Sequence, residues 1–179
     1  MRDEKNRLRR AQRARRGDHE PTYWYRVGGE ITRRVEAFLL RRPEITVGVY
    51  RALPDEPVIG SLTHRAAFPR VAGRELSFHH CAQDQLMPGA FGIEEPPEEA
   101  EVVKPEVLLV PGLAFGEDGS RLGRGQGFYD RYLATHDTLR IGVVDEDGLL
   151  SSVPREAHDA RMDVIITQDR VLQRKDQCT

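Results

Sequence analysis

Cysteine is scarce in this 179-residue chain: Cys81 and Cys178 are the only two. That removes a disulfide scaffold as the organising principle and suits a reducing compartment. No zinc-ligand spacing surrounds Cys81. The adjacent His79 and His80 would point to opposite faces of a strand and so could not chelate together. No apolar run approaches the roughly 20 residues of a membrane span. The N-terminus is charged without a hydrophobic region, unlike a secretory signal. The expectation is a cytoplasmic protein with no membrane partner. There is no Gly-Lys pair anywhere, which rules out a P-loop. What is present is ordinary for a globular protein: 39% hydrophobic residues, 31% charged, and a formal charge of −2. The length suits a single domain spanning residues 1–179.

The order of elements follows from periodicity. Residues 3–16 are helix formers with Asp3 and Glu4 first and arginines last, which complements a helix dipole. Leu8, Ala11 and Ala14 give this helix only a thin apolar stripe, so it reads as a solvated basic helix or, alternatively, as a nucleic-acid arm. Gly17 and Asp18 interrupt it. Residues 22–41 form a second, amphipathic helix carrying Trp24, Val27, Ile31, Val35, Phe38 and Leu39 at three- and four-residue steps. Trp24, the only tryptophan, lies on that stripe and is assigned to the core. Strands are expected at Ile45–Tyr50, Glu75–Cys81, Val107–Val110, Arg140–Val144 and Asp163–Thr167, the last two having the β-branched look of buried parallel strands. The acidic, proline-rich run Glu94–Pro105 reads as a surface connection, and residues 173–179 as a frayed tail. Strands interleaved with helices predict an α/β fold, with a largely parallel sheet and helices on both faces. Such sheets bind ligands beyond the carboxyl ends of their strands.

The most informative stretch is Val110–Leu133, VPGLAFGEDGSRLGRGQGFYDRYL. A strand stops at Pro111-Gly112, and a loop with Gly123, Gly125 and Gly127 leads into a helix that begins near Phe128. Backbone N–H groups without neighbouring Cβ atoms can approach an anion closely, and a helix N-terminus adds unpaired donors. Arg121 and Arg124 supply full positive charge, and Asp130 could hold a hard cation bound to that anion. Phe128 stands where a dinucleotide loop would need glycine. Glycines alone are equally a surface turn.

The whole string is more specific than its glycines. It resembles the signature of the 5-formyltetrahydrofolate cyclo-ligase family, hydrophobic-P-G-x-x-F followed by R-L-G-x-G-x-G-[FY]-Y-D. Pro111, Gly112, Phe115, Arg121, Leu122, Gly123, Gly125, Gly127, Phe128, Tyr129 and Asp130 match it. Two further stretches are similar to family loops. One is MPGAFGIEEP, with Gly89, Phe91, Gly92, Ile93, Glu95 and Pro96; the other is VPREAHDARMD, with Pro154, Glu156, His158, Asp159, Met162 and Asp163. The resemblance runs from Lys5 to about Thr167 and implies a three-layer α/β/α Rossmann-like domain. It implies ATP-dependent conversion of 5-formyltetrahydrofolate to 5,10-methenyltetrahydrofolate, with Mg²⁺ as cofactor and ATP as co-substrate.

The resemblance also implies the site. Lys5 and Arg9 match a helical K-x-x-x-R pair that reaches the ATP phosphates; at i and i+4 they share one helix face. Arg121, Leu122, Gly123, Arg124, Gly125, Gln126, Gly127, Phe128 and Tyr129 would complete the ATP site, with Lys5, Arg121 and Arg124 as the catalytic cations. Asp130 and Asp159 would hold Mg²⁺. Tyr50, Glu56, Phe91, Phe128 and Tyr129 would frame the folate, with Glu56 accepting paired N–H donors of the pterin. His158 is read as a turn histidine. The chain departs from the family between Glu56 and Pro69, where a helix plus a strand hardly fits, so one wall of the folate pocket is expected to be shortened or irregular. His64, in that segment, is read as structural or exposed. A monomer or weak homodimer is expected. The alternatives are a nucleotide- or RNA-binding module without catalysis and ATP-dependent activation of another amide-like substrate.

Overall fold

The computed structural model describes residues 1–157 and 159–174, so the expectation for His158 lies outside the described residues. Helix α1 (Arg2–Gly17) and helix α2 (Pro21–Leu39) open the chain. They are followed by β1 (Thr46–Gly48), β2 (Arg65–Ala72), β3 (Glu75–His80), β4 (Met87–Pro88), β5 (Glu94–Glu95) and β6 (Glu101–Val103). Then come β7 (Val107–Pro111), β8 (Ala114–Gly116), β9 (Arg121–Leu122), α3 (Phe128–Thr135), β10 (Leu139–Val143), β11 (Leu149–Leu150), β12 (Val164–Ile166) and β13 (Val171–Gln173). The α1–α2 break falls where Gly17-Asp18 and Pro21 place it, because proline suits only the first turn of a helix.

The central sheet has eight strands in the order β13-β12-β10-β7-β1-β2-β3-β6. Its middle, from β12 through β2, is parallel, with registers such as Ile141 beside Leu109 and Gly48 beside Ala67. Antiparallel strands finish both edges. Side-chain alternation along these strands feeds two cores. Val107, Leu109, Ile141, Val143, Val164 and Ile166 meet the α2 stripe of Val27, Ile31, Val35 and Leu39. Leu108, Val110 and Ile165 face the opposite way, onto Tyr132 and Leu133 of α3. Burial of each such side chain contributes about 1.5–3 kcal/mol, so the two faces hold α2 and α3 as outer layers of a mixed α/β fold. Trp24 is buried, as its place on the stripe predicts.

Two expectations need correction. The acidic run is not wholly a connection: Glu101–Val103 forms β6 at the edge of the sheet, pairing Val103 with Phe78. Gln173 is not frayed, because it pairs with Val164 in β13; residues 175–179 lie outside the described ones. Periodicity could not find either strand, since each is three residues long and gains its order from the neighbour it pairs with. His64 is buried, with Glu36 at 3.6 Å from its Nδ1, which settles the structural-or-exposed choice in favour of structural.

The segment between β1 and β2 contains no helix. It crosses α2 at Gly28, where Val58 N–H donates to the Trp24 carbonyl at 3.1 Å. A Cβ at Gly28 would lie 2.0 Å from the Val58 carbonyl oxygen, so only glycine admits this crossing. The shortened wall is thus an extended strap fastened to α2.

Candidate functional site

A cleft of about 890 Å³ opens beyond the carboxyl ends of β1 and β7, where a doubly wound sheet offers its loops. Helix α1 forms one side, the 121–130 segment the floor, and β2, β3 and the β4–β5 hairpin the far side. Lys5, Arg9, Tyr50, Glu56, Phe91, Arg121, Gly123, Arg124, Gly125, Gln126, Gly127, Phe128, Tyr129, Asp130 and Asp159 all line it. Leu122 does not: its side chain is buried beneath the loop against Leu113 and Ala114, and its carbonyl accepts the Leu113 N–H at 2.8 Å. Alternation explains the difference, because Arg121 and Leu122 are neighbours on β9 and must face opposite ways.

The loop has the geometry that its glycines permit. Gly125 has φ 104° and Gly127 φ 70°, a backbone region that costs most other residues energy. Gly127 caps α3 in the left-handed conformation, so the chain turns sharply into Phe128. Arg9 donates to the Gly123 carbonyl at 2.9 Å and Arg13 to the Arg124 carbonyl at 3.4 Å, which ties the loop to α1.

Several charges of the cleft are paired with one another. Lys5 Nζ lies 2.5 Å from Asp159 and 3.3 Å from Glu156. Arg121 donates to Asp130 at 2.8 Å and to the Pro111 carbonyl at 3.2 Å, with its guanidinium over the Tyr129 ring. Arg124 donates to Glu56 at 2.9 Å and also pairs with Asp55. Burial opposes the charge on Arg124, but Glu56 and Asp55 outweigh it and raise its pKa. Glu56 is engaged on both oxygens, the second accepting the Leu53 N–H at 3.1 Å.

Away from α1 the lining turns apolar. Pro69, Val71, Leu76 and Ile93 stand beside Tyr50, Tyr129 and Phe128. Phe91 packs edge-on against Phe128, with ring centroids 5.8 Å apart. Phe91 is the only non-glycine residue with positive φ among the described ones, at 58°, and it remains 62% exposed. A strained, exposed aromatic at the mouth of a cleft is a feature found at ligand clamps. Burial raises the pKa of both Tyr50 and Tyr129, the former well above its ordinary value. Tyr50 donates its hydroxyl to the Pro57 carbonyl at 2.6 Å, pinning the strap to the site.

Sequence reasoning overlooked several participants. Arg13 extends the Lys5–Arg9 spacing by one more four-residue step and also lines the cleft. Arg16, on the same helix, has a side chain with no exposed surface. Its guanidinium donates to the Gly112 carbonyl at 2.7 Å and the Asp55 carbonyl at 3.1 Å, and sits 3.6 Å from the equally buried Asp145. Nothing in an arginine-rich helix marks which arginine faces inward. Glu156 and Glu95 had matched motifs without any role attached; both line the cleft.

Asp130 and Asp159 are the carboxylates that would hold a divalent cation in this cleft. Asp130 and Asp159 line one cleft at half-buried positions, and two carboxylates leave an octahedral magnesium shell mainly to phosphate and water oxygens. Among the described residues neither belongs to a cluster of three metal-ligating side chains; the one such group is His19, Asp145 and Asp147, where Arg15 already chelates Asp145.

Comparison with known proteins agrees with this architecture. The 5-formyltetrahydrofolate cyclo-ligase of Mycolicibacterium smegmatis is 44% identical over 91 residues, covering 48% of this chain and 47% of that protein. The Escherichia coli protein of the same name is 33% identical over 110 residues, 58% of this chain and 60% of its own. The matched stretch therefore spans about half the length of these curated relatives. The solved 5,10-methenyltetrahydrofolate synthetase of Aquifex aeolicus superposes with a TM-score of 0.83 at 27% identity, covering 98% of this chain and 95% of that one. A family model matches residues 1–168, and the chain belongs to the 5-formyltetrahydrofolate cyclo-ligase family.

Proposed function

We propose that this chain is an ATP- and Mg²⁺-dependent 5-formyltetrahydrofolate cyclo-ligase, releasing ADP and phosphate as it forms 5,10-methenyltetrahydrofolate. The observation that carries the reading is the division of one cleft into two chemistries. Cations and a glycine loop occupy the α1 side, and apolar and aromatic side chains occupy the β2–β3 side. A polyphosphate suits the first and a flat heterocycle the second.

The formyl oxygen of the substrate is a poor leaving group. Its attack on the γ-phosphorus of ATP expels ADP and gives a phosphorylated imidate; N10 then attacks the same carbon and gives up its proton, and the carbon–oxygen bond breaks to release phosphate and close the ring. Such chemistry asks the protein for positioning and charge neutralisation rather than a covalent nucleophile. Lys5, Arg9, Arg121 and Arg124 would hold the triphosphate together with N–H groups of residues 123–129. Asp130 and Asp159 would hold Mg²⁺, which when bound neutralises phosphate oxygens. Tyr50, Glu56, Phe91, Phe128 and Tyr129 would frame the folate. The rival reading as an RNA-binding arm is weakened by the inward course of α1, since Lys5, Arg9, Arg15 and Arg16 each engage groups of the protein's own body. Among the described residues no helix is long and apolar enough to cross a membrane.

The deciding assay mixes purified protein, Mg-ATP and 5-formyltetrahydrofolate and follows the near-ultraviolet absorbance of the methenyl product. ATP-dependent growth of that band is expected. Its absence at high enzyme concentration refutes the reading.

A further inference from the structure

Arg131, in the first turn of α3, stands behind the cleft rather than in it: Gln126, Gly127 and Phe128 line the cavity and Arg131 does not. Its side chain nevertheless touches three parts of the wall. Nη1 donates to the Gln126 carbonyl at 3.0 Å, while Nε and Nη2 both donate to the Arg74 carbonyl, at 3.1 and 2.9 Å. The guanidinium carbon lies 5.2 Å from the centre of the Phe128 ring, the ring that Phe91 meets edge-on. Gly127 leaves room for this approach, since a Cβ there would stand 2.9 Å from Nη1.

Each of these contacts fixes something that a ligand would meet. In a trans peptide the N–H of one residue runs antiparallel to the carbonyl of the residue before it. Holding the Gln126 carbonyl therefore sets the direction of the Gly127 N–H, one of the donors proposed for the triphosphate. Arg9 and Arg13 hold the Gly123 and Arg124 carbonyls in the same way from α1. Arg131 holds its carbonyl from the other side, and the same planar group grips the turn between β2 and β3. That turn closes just beyond the paired Val71 and Leu76, which line the apolar half of the cleft. A guanidinium presents its donors in one rigid fork, so the loop and the hairpin cannot shift independently while both are bound to it.

We propose that Arg131 is a positioning residue that couples the two halves of the cleft, so that each substrate strengthens the binding of the other. The inference rests on the reading of those halves as a Mg-ATP site and a folate site. A ring seated against Phe128, Val71 and Leu76 restrains the guanidinium through both the aromatic and the hairpin. The Gln126–Gly127 peptide is then already ordered when phosphates arrive, and the second ligand loses less conformational freedom than the first. By linkage the effect is reciprocal.

The test titrates an ATP analogue, with methylene in place of the β,γ-bridging oxygen, into enzyme and Mg²⁺ by calorimetry. Titrations run with and without saturating 5-formyltetrahydrofolate, for wild type, Arg131→Ala and Arg131→Lys. In wild type the folate should tighten analogue binding about tenfold, within the usual range of coupling between sites. In both variants the factor should fall to about one, while each ligand bound alone weakens by less than that. Lysine keeps the charge but not the fork, so it decides the matter if the alanine variant does not fold. Coupling of wild-type size in either variant overturns the proposal. A lowered thermal midpoint or equally weakened single ligands with coupling intact also overturns it, since that pattern marks a merely structural tie. Wild type that binds both ligands without coupling removes this inference and leaves the cyclo-ligase reading standing. Wild type that binds the analogue but neither binds nor turns over 5-formyltetrahydrofolate removes the folate reading, and this inference with it.

Discussion

The buried pair Arg16–Asp145 should be the most consequential ion pair among the described residues, and it can be probed in one variant. Neither side chain has any exposed surface, and Asp145 is gripped by Arg15 as well. Burial pushes the Arg16 pKa down, while Asp145, Glu56 and Asp55 oppose that shift. Asp145→Asn preserves volume and removes the charge, leaving Arg16 buried without its nearest counter-ion. Breaking a buried pair from one side typically costs about 3–5 kcal/mol, against roughly 5–15 kcal/mol for a whole domain. With a urea slope of about 2 kcal/mol/M, a loss of about 3 kcal/mol moves the midpoint down by about 1.5 M. The reporter is built in, because Arg16 lies 5.4 Å from the ring centre of Trp24, the single tryptophan, which is buried. Trp24 fluorescence should therefore follow both the unfolding and any loosening of α1 before it. Because Arg16 joins α1 to the Gly112 and Asp55 carbonyls, the surviving folded enzyme should also show a raised KM for ATP, which Lys5 and Arg9 on the same helix are proposed to hold. A midpoint shift below about 0.3 M at unchanged slope would refute the reasoning, for it would mean that water or relaxation already screens the pair.

Three further outcomes are expected. Lys5→Ala removes a cation beside Asp159 and Glu156 and should lower kcat/KM about ten- to a hundredfold, equivalent to about 1.5–3 kcal/mol; an unchanged value would dissociate Lys5 from the reaction. Asp130→Asn keeps a side-chain oxygen for Arg121, so thermal stability should shift little while the Mg²⁺ concentration needed for half-maximal turnover rises; a normal Mg²⁺ response would remove Asp130 from the metal site. Tyr50 and Tyr129 have pKa values raised by burial, so both stay neutral in the folded state after the unfolded chain has begun to ionise. Their contribution to stability is complete below the unfolded value of about 10 and is lost as pH rises beyond it, by up to about 1.4 kcal/mol per pH unit for each tyrosine. Denaturant midpoints measured between pH 9 and 11.5 should fall only in the upper part of that range, and less steeply in Tyr50→Phe.

What the sequence disclosed depended on how local the cause was. The α2 stripe and the runs at 107–110, 140–144 and 163–167 carry their own burial signal, so α2, β7, β10 and β12 were legible from spacing. β6 and β13 were not, because their order comes from partners far along the chain. The glycine loop was legible through its own residues, yet the inward turn of Arg16 is decided by Gly112, Asp55 and Asp145, which no helix periodicity contains. The strap at 51–64 left one trace, Gly28 in mid-helix, whose reason is visible only when Val58 is seen lying on it.

The pairing of charges inside the cleft has a consequence for how ligands enter. Each carboxylate proposed for the metal is held by a cation proposed for the phosphates, Asp159 by Lys5 and Asp130 by Arg121. Metal-free ATP would have to draw those cations away and leave the carboxylates facing a polyanion, whereas Mg²⁺ alone would have to draw the carboxylates away and leave the cations facing it. The two ligands together would exchange partners: Asp159 and Asp130 would gain the metal as Lys5 and Arg121 would gain phosphate oxygens. Mg²⁺ and ATP should therefore bind with positive coupling beyond their affinity for each other in solution, and by linkage each must strengthen the other equally. Calorimetric titration of ATP at rising Mg²⁺, corrected for the Mg-ATP equilibrium, reads that coupling directly. In Lys5→Ala, Asp159 keeps its charge without its parked ammonium, so Mg²⁺ alone should bind more tightly and the coupling should shrink. Coupling of the same size in wild type and Lys5→Ala would show that the pairs seen in the cleft are not the partners that the ligands displace.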